Sequence, residues 1–214
     1  IAGTLTTAAQ ANITSLGSLT SLTVAGNVSV DGGTIKLDGN YPVGANNVAL
    51  GDAALDSVTS GTRLTAIGSN ALTAATSGNY SVAVGSNALA SATTATFNTA
   101  VGDYALQATT GGSNTGIGSA ALYGTTSGQF NTALGHSALQ SNTTASYNTA
   151  VGYQGLYANT TGNGLASLGF QALYTNTTGS NNNAVGYKTL YSNTTGGSNT
   201  AVGDRALQAN TTAS

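Results

Sequence analysis

Side chains that could do acid–base, nucleophilic or metal chemistry are few in this 214-residue sequence, and they are scattered. The sequence has no Cys, which excludes disulfides, thiolate metal sites and thiol nucleophiles. The single His, His136, has no convergent partner in the pattern, so we expect it to be a solvated surface residue. No spacing pairs the acidic residues for glycoside hydrolysis. These residues are Asp31, Asp38, Asp52, Asp56, Asp103 and Asp204.

The scarcity of such groups limits the classes of function. General acid–base catalysis draws on Asp, Glu, His and Lys, so we expect no enzyme, no catalytic residues, no metal and no cofactor. Charged residues make up 5% of the chain, and only four of them are basic. Nucleic-acid binding needs clustered Lys and Arg, which excludes that partner. No apolar run approaches the length of a membrane-spanning helix, so we expect no membrane insertion.

Aromatic residues are the only large side chains with a local pattern. Three of them follow a repeated Gly and three follow a repeated Leu, in the same three successive repeats. Such ladders commonly stabilise a fibre or a seam between subunits. The alternative is a glycan or receptor contact on the surface of a rigid scaffold. The candidate contact residues are Tyr153, Tyr157, Phe170, Tyr174, Tyr187 and Tyr191.

The elements that position these residues come from a repeat. A small residue, an aliphatic residue and Gly recur together ten times, 17 residues apart except for 16 between Gly102 and Gly118. Leu stands four residues after every one of these glycines and Thr stands eight after. The short repeat lacks one residue beside Gly111 and Gly112. A one-residue slip inside a strand would reverse every side chain, so we expect that deletion to lie in a loop.

One repeat predicts one turn, or rung, of an all-β solenoid or β-roll. Asn148 to Gly152 is typical of a short strand that ends in a turn. We expect the small-residue and Leu columns to begin a second short strand, before Asn159 to Gly162 returns the chain. The poor helix propensity of Gly, Thr and Asn argues against helix. The sequence therefore predicts ten rungs over residues 44–214, stacked at about 4.8 Å, after a short β-rich segment at 1–43.

The apolar columns lead to an expectation about assembly. We expect both the aliphatic column before Gly and the Leu column after it to be buried. Columns of Ala and Gly are narrow enough for a second backbone to pack closely. The sequence therefore predicts that identical chains associate.

The polar columns have three further interpretations. The Asn-Thr-Thr turns match the glycosylation sequon, but turn composition alone accounts for them. Stacked Thr and Asn columns predict hydrogen-bonded ladders between rungs. Regular Thr arrays also suggest an ice-binding solenoid, by fold-level analogy alone. The sequon asparagines are Asn142, Asn159, Asn176, Asn193 and Asn210.

The repeat text resembles two related families. Ser81-Val82-Ala83-Val84-Gly85 is similar to the head repeat of trimeric autotransporter adhesins, a left-handed parallel β-roll. The stretches from Leu5 to Gln10 and from Leu22 to Asn27 look more like the repetitive shaft of phage tail fibres of the marine and cyanophage type. The period of 17 is longer than that of the usual adhesin head repeat.

The resemblance implies a function that residue patterns alone do not. It implies a homotrimeric structural segment of a virion tail fibre, with other tail proteins as partners, which supports attachment to a host-surface glycan or protein. The alternative is the head of a bacterial adhesin on the cell surface. The adhesin's coiled-coil stalk and membrane anchor, and the tail fibre's chaperone domain, are not found in this sequence. Because the chain contains no Met, we expect it to be a processed product or a segment of a longer protein.

Overall fold

The computed structural model describes residues 44–214, which form a parallel β-solenoid with one three-residue strand in each rung. This confirms the all-β repeat fold and the 17-residue rung. The ten strands form one sheet in chain order. They are β1 (Val48–Leu50), β2 (Thr65–Ile67), β3 (Val82–Val84), β4 (Thr99–Val101), β5 (Thr115–Ile117), β6 (Thr132–Leu134), β7 (Thr149–Val151), β8 (Ala166–Leu168), β9 (Asn183–Val185) and β10 (Thr200–Val202).

Strand pairing keeps every repeated column in register. Thr132 of β6 pairs with Thr149 of β7, which is one repeat later. In the short repeat Thr99 of β4 pairs with Thr115 of β5, so the strands stay aligned although one residue is missing. The missing residue therefore falls in the loop that follows Thr110, as the sequence predicts.

The predicted second strand is wrong, because tight turns follow each repeated Gly. In the rung of Gly68 the Ala71 amide donates to the Gly68 carbonyl at 3.2 Å, and the Thr73 amide donates to the Asn70 carbonyl at 3.3 Å. The φ angles of Asn70 and Leu72 are 57° and 51°. A left-handed conformation at alternate residues cannot form an extended strand, so the chain curls inward there.

The core contains the Leu column and the Ala columns of a single chain. Leu156 and Ala150 are both fully buried, as are their equivalents in the other inner rungs. The small columns therefore pack inside their own rung, and the expectation that they make room for a second backbone is wrong. The middle residue of each three-residue strand points inward, so its two neighbours point outward.

The aliphatic column before Gly consequently lies on the outer surface, which corrects the expectation that it is buried. Leu134 is 45% exposed and Leu168 is 49% exposed. The valines of this column in β3, β4 and β7 are half-buried. Both this column and the buried Leu column contain only aliphatic residues, so hydrophobicity alone does not distinguish them.

Two asparagine ladders satisfy polar groups inside the solenoid. The Asn148 side chain accepts a hydrogen bond from the Leu165 amide at 2.9 Å and donates to the Gly162 carbonyl at 2.8 Å. The Asn159 amide nitrogen donates to the Asn142 side chain at 3.1 Å and to the same Gly162 carbonyl at 3.0 Å. Each side chain thus joins consecutive rungs, which confirms the predicted ladders.

The expectation of a β-rich segment at 1–43 lies outside the described residues. Residues 44–214 contain no helix long and apolar enough to cross a membrane.

Candidate functional site

The solenoid aligns the six aromatic candidates in two ladders. In the first ladder Tyr153, Phe170 and Tyr187 stack with ring centroids 5.3 Å apart and planes inclined by 14° or less. His136 extends this ladder by one ring, with its centroid 5.5 Å from that of Tyr153. His136 is exposed, as the sequence predicts. We call this set, His136 to Tyr187, the first ladder.

The second ladder contains Tyr157, Tyr174 and Tyr191, with successive centroids 5.1 and 5.2 Å apart. Its rings are half-buried, whereas those of the first ladder are about two-fifths exposed. Because the rings stack, each inner ring covers the face of its neighbour. The ladders therefore present ring edges and hydroxyl groups to the solvent, and a ligand would contact those edges.

Cationic side chains stand at the C-terminal end of both ladders. The Lys188 ammonium lies 5.5 Å from the Tyr187 ring centroid and 5.3 Å from the Tyr191 centroid, so it bridges the two ladders. The Arg205 guanidinium lies 5.3 Å from the Tyr187 centroid. All three distances are typical of a cation–π contact. Sequence reasoning missed these residues, although both stand two residues after a repeated Gly.

The second ladder changes the acidity of its middle residue, Tyr174. Burial raises the pKa of the Tyr174 hydroxyl above its ordinary value of 10.0, and the neighbouring hydroxyls of Tyr157, Tyr191 and Tyr153 raise that pKa further. The folded chain therefore holds this proton to higher pH than the unfolded chain does. Stability is unaffected below the unfolded pKa and falls as the pH rises through the folded pKa.

We expect a late-titrating tyrosine in the spectroscopic titration of the folded chain. Phenolate absorbance measured from neutral to strongly alkaline pH should show a component above pH 10.0 that the Tyr174→Phe variant lacks. The same titration in denaturant should show no late component in either protein. A folded-state curve that Tyr174→Phe leaves unchanged at its alkaline end would contradict this assignment.

A shallow, open pocket lies on the same face, in earlier rungs. It is lined by Tyr104, Ala120, Tyr123 and Gln140. The Tyr104 and Tyr123 rings are tilted by 60°, with centroids 6.2 Å apart, so neither covers the face of the other as in the two ladders. Tyr123 and Gln140 occupy the column of the second ladder, and Ala120 occupies the column of Lys188. The sequence shows Tyr123 only as an isolated aromatic.

The outer face of the sheet carries a second candidate surface, the aliphatic stripe. It consists of the outward residues directly before the repeated Gly, namely Leu50, Ile67, Val84, Val101, Ile117, Leu134, Val151, Leu168, Val185 and Val202. The other outward column of the sheet contains Val, Thr, Ala and Asn. This face therefore has no charged side chain along its whole length.

The sequon asparagines and the Thr column serve the fold. Asn142, Asn159, Asn176 and Asn193 are fully buried. Their amide nitrogens donate to neighbouring rungs or to the carbonyl three residues later, so a glycosylating enzyme cannot reach them in the folded chain. Thr160 in the column eight residues after Gly donates its hydroxyl to the Thr177 carbonyl at 3.0 Å. An ice-binding face made from that column would lack free hydroxyl donors.

No three His or Asp side chains within residues 44–214 lie close enough together to hold a metal ion. The four Asp residues of that part of the chain lie in separate rungs or at separate corners. One of them, Asp204, forms an exposed ion pair with Arg205 at 3.5 Å.

The fold places the chain in the class of parallel β-solenoid repeat proteins. No protein-family model matches the sequence, and neither a curated protein nor a solved structure shows significant similarity to it.

Proposed function

We propose that the chain is a non-enzymatic structural segment of a phage tail fibre, which assembles as a homotrimer and supports attachment to a host surface. The observation that carries this proposal is the aliphatic stripe. Ten rungs at about 4.8 Å each give a stripe roughly 45–50 Å long and one side chain wide, beside a column that is mostly Thr. Soluble monomers rarely expose a continuous apolar surface of this size without a partner for it.

A second copy of this chain is the partner that fits the stripe. The aliphatic side chains recur once per rung, so a partner that meets all of them needs the same rise along its length. A parallel copy of the same solenoid has that rise at every rung. Absence of charge on this face means that identical chains can approach without like-charge repulsion.

The shape of the stripe favours an axis shared by several chains. A narrow, straight stripe is suited to packing around a central axis, where each chain contributes one row of side chains. It is less suited to the broad interface of a two-fold dimer. The number three follows from the resemblance to tail-fibre shafts and adhesin heads. A long, rigid rod with few charged side chains suits a part that holds a receptor-binding tip away from a particle.

The expected result for assembly is a molar mass three times that of the chain, measured by light scattering coupled to size-exclusion chromatography. Introducing Asp at Leu134 and Leu168 should convert the trimer to a folded monomer, because three carboxylates would face one another in each affected rung. The matched control introduces Asp at Thr144 and Thr178, exposed residues of the same two rungs. That variant should remain trimeric.

Two results would contradict the proposal. A wild-type chain that is folded and monomeric, by circular dichroism and mass, would remove the need for a partner on the stripe. A Leu134 and Leu168 double variant that retains the wild-type mass would show that the interface lies elsewhere. Ice shaping by a folded monomer would instead favour an ice-binding solenoid.

A further inference from the structure

We propose that the two aromatic ladders and the column between them bind a linear acidic polysaccharide, with a carboxylate held at Lys188. This inference rests on the proposed attachment role and names the ligand class for it. The first ladder forms one wall of the surface and the second ladder forms the other.

The column between the ladders supplies polar recognition. Gln154, Gln171 and Lys188 stand two residues after successive repeated glycines, and the Gln171 amide donates to the Gln154 side chain at 2.8 Å. Bonding to each other fixes the orientation of both amides and leaves donor and acceptor sites toward solvent. Tyrosine hydroxyls on both sides add further donors and acceptors. A surface of ring edges, hydroxyls and amides matches the alternating C–H and O–H groups of a sugar.

The spacing of these groups matches an extended polymer. Ring centroids recur every 5.1 to 5.3 Å along both ladders. One pyranose unit of an extended polysaccharide spans nearly the same distance. A sugar chain that lies along the solenoid axis therefore meets the same set of groups at every rung. A compact ligand would use only one rung and would gain nothing from the repetition.

The charge of the site selects an acidic chain. Residues 44–214 contain three cationic side chains, and two of them, Lys188 and Arg205, are at this end of the ladders. Arg205 is paired with Asp204, so the charge open to a ligand is that of Lys188. Lys188 forms no ion pair within residues 44–214, and its ammonium is placed by the two rings that flank it. A carboxylate on the ligand would pair with this ammonium in a charge-assisted hydrogen bond.

The pocket at Tyr104 and Tyr123 extends the same surface toward the N-terminal rungs. Its rings are not stacked face to face, so it offers the aromatic faces that the ladders themselves hide. A sugar ring seated on the floor formed by Ala120 would lie in line with the second ladder through Gln140. The proposed surface therefore has a pocket for a sugar ring near one end and a cation for a carboxylate at the other.

The test uses the intact chain and two linear sugars that differ only in charge. Oligomannuronate, an acidic chain whose β-1,4 linkages keep it extended, and its fully methyl-esterified form are titrated by calorimetry at low and at moderate salt. We expect binding of the acidic form, weakened by added salt, and binding of the ester at least about tenfold weaker, the effect of losing a hydrogen bond to a charged group. Lys188→Gln should weaken binding of the acid by a similar factor.

The matched control is Arg63→Gln. Arg63 also stacks on a tyrosine, 5.0 Å from the Tyr80 ring centroid, but at another corner of the solenoid. The Arg63→Gln variant should bind the acidic oligosaccharide as the wild type does. Replacing Tyr153 and Tyr187 with Ser should weaken binding without changing the molar mass, because neither residue belongs to the aliphatic stripe.

Three outcomes would overturn the inference: no binding of oligomannuronate by the wild type, equal affinity for the ester, or unchanged affinity in Lys188→Gln. None of them bears on assembly, which light scattering measures on the same samples. Failure of the glycan site is therefore distinguishable from failure of the fibre role.

Discussion

Replacing Gly152 by Ala is expected to lower the free energy of unfolding by more than about 3 kcal/mol per chain. A Cβ atom at this position would lie 2.5 Å from the Gly169 carbonyl oxygen and 2.7 Å from its carbon. Both atoms belong to the backbone of the next rung, so relief of the clash requires the rungs to separate. Overpacking of this kind costs about 1–3 kcal/mol, and a strained backbone conformation adds about 1–3 kcal/mol.

The matched control is Gly164→Asn, which also changes a glycine at positive φ. Gly164 has a φ of 66°, and its column contains Tyr147 and Asn181 at 62° and 60° in adjacent rungs. Asn adopts this left-handed conformation readily, and the nearest atom to its Cβ is the end of the Asn181 side chain. We expect a loss of less than about 1 kcal/mol. Chemical denaturation followed by circular dichroism measures the stability of both variants. Equal losses in the two would contradict the inference that a clash with the backbone of the next rung destabilises Gly152→Ala.

The sequence predicts the length and stacking of each rung but not the backbone conformation within it. The residues that follow each repeated glycine show why. Identical columns at a fixed period establish stacking, because each residue type recurs at one place in every turn. The φ of Gly152 is 126°, whereas that of Gln154 is 53° and that of Leu156 is 53°. Gln and Leu are not residues that indicate a left-handed conformation, so the second strand was the natural interpretation of an Ala-Leu pair. Backbone bonds between rungs impose that conformation, and one repeat alone does not show them.

Hydrophobicity alone does not separate the inside of the rung from its outside. Two columns contain only aliphatic residues, and both satisfy an expectation of burial. The difference lies in their residue types: Leu50, Ile67 and Val84 vary, whereas the Leu column never contains Ile or Val. A branched Cβ is tolerated in an extended strand and is strained at positive φ. That contrast was visible in the sequence and indicates the conformation of each column.

The aromatic pattern was predictable, whereas its chemical environment was not. Clustering of Tyr and Phe in three rungs predicts that these side chains align along the solenoid, and they do. The contact between Lys188 and both ladders depends on the direction of the Lys188 side chain, which the sequence does not show. The turn that contains Lys188 places its ammonium between the Tyr187 and Tyr191 rings. The pocket at Tyr123 depends on the small side chain of Ala120, whose column is filled by larger residues in the rungs of the ladders.

Replacing Leu156 by Ala is expected to lower the free energy of unfolding by about 2–5 kcal/mol per chain. Leu156 is fully buried in the core of its rung. Strand pairing and the asparagine ladders hold the rungs at a fixed spacing, so the cavity cannot collapse. His136→Ala, at the exposed end of the first ladder, should change stability by no more than about 0.5 kcal/mol. Equal effects in thermal and chemical denaturation would mean that the Leu column is not the core.

Replacing Leu156 by Ile separates burial from backbone conformation, because the two side chains have nearly the same volume. Such a swap in a core usually costs less than about 1.5 kcal/mol. At Leu156 the φ of 53° adds strain for a branched Cβ, so we expect a loss of about 2–4 kcal/mol, close to that of Leu156→Ala. The matched control is Leu134→Ile on the aliphatic stripe, where Ile67 and Ile117 already occupy equivalent strand positions. It should be nearly neutral in the same denaturation experiment. If both Ile variants lose equal stability, positive φ does not determine the residue type of this column, and its restriction to Leu needs another cause.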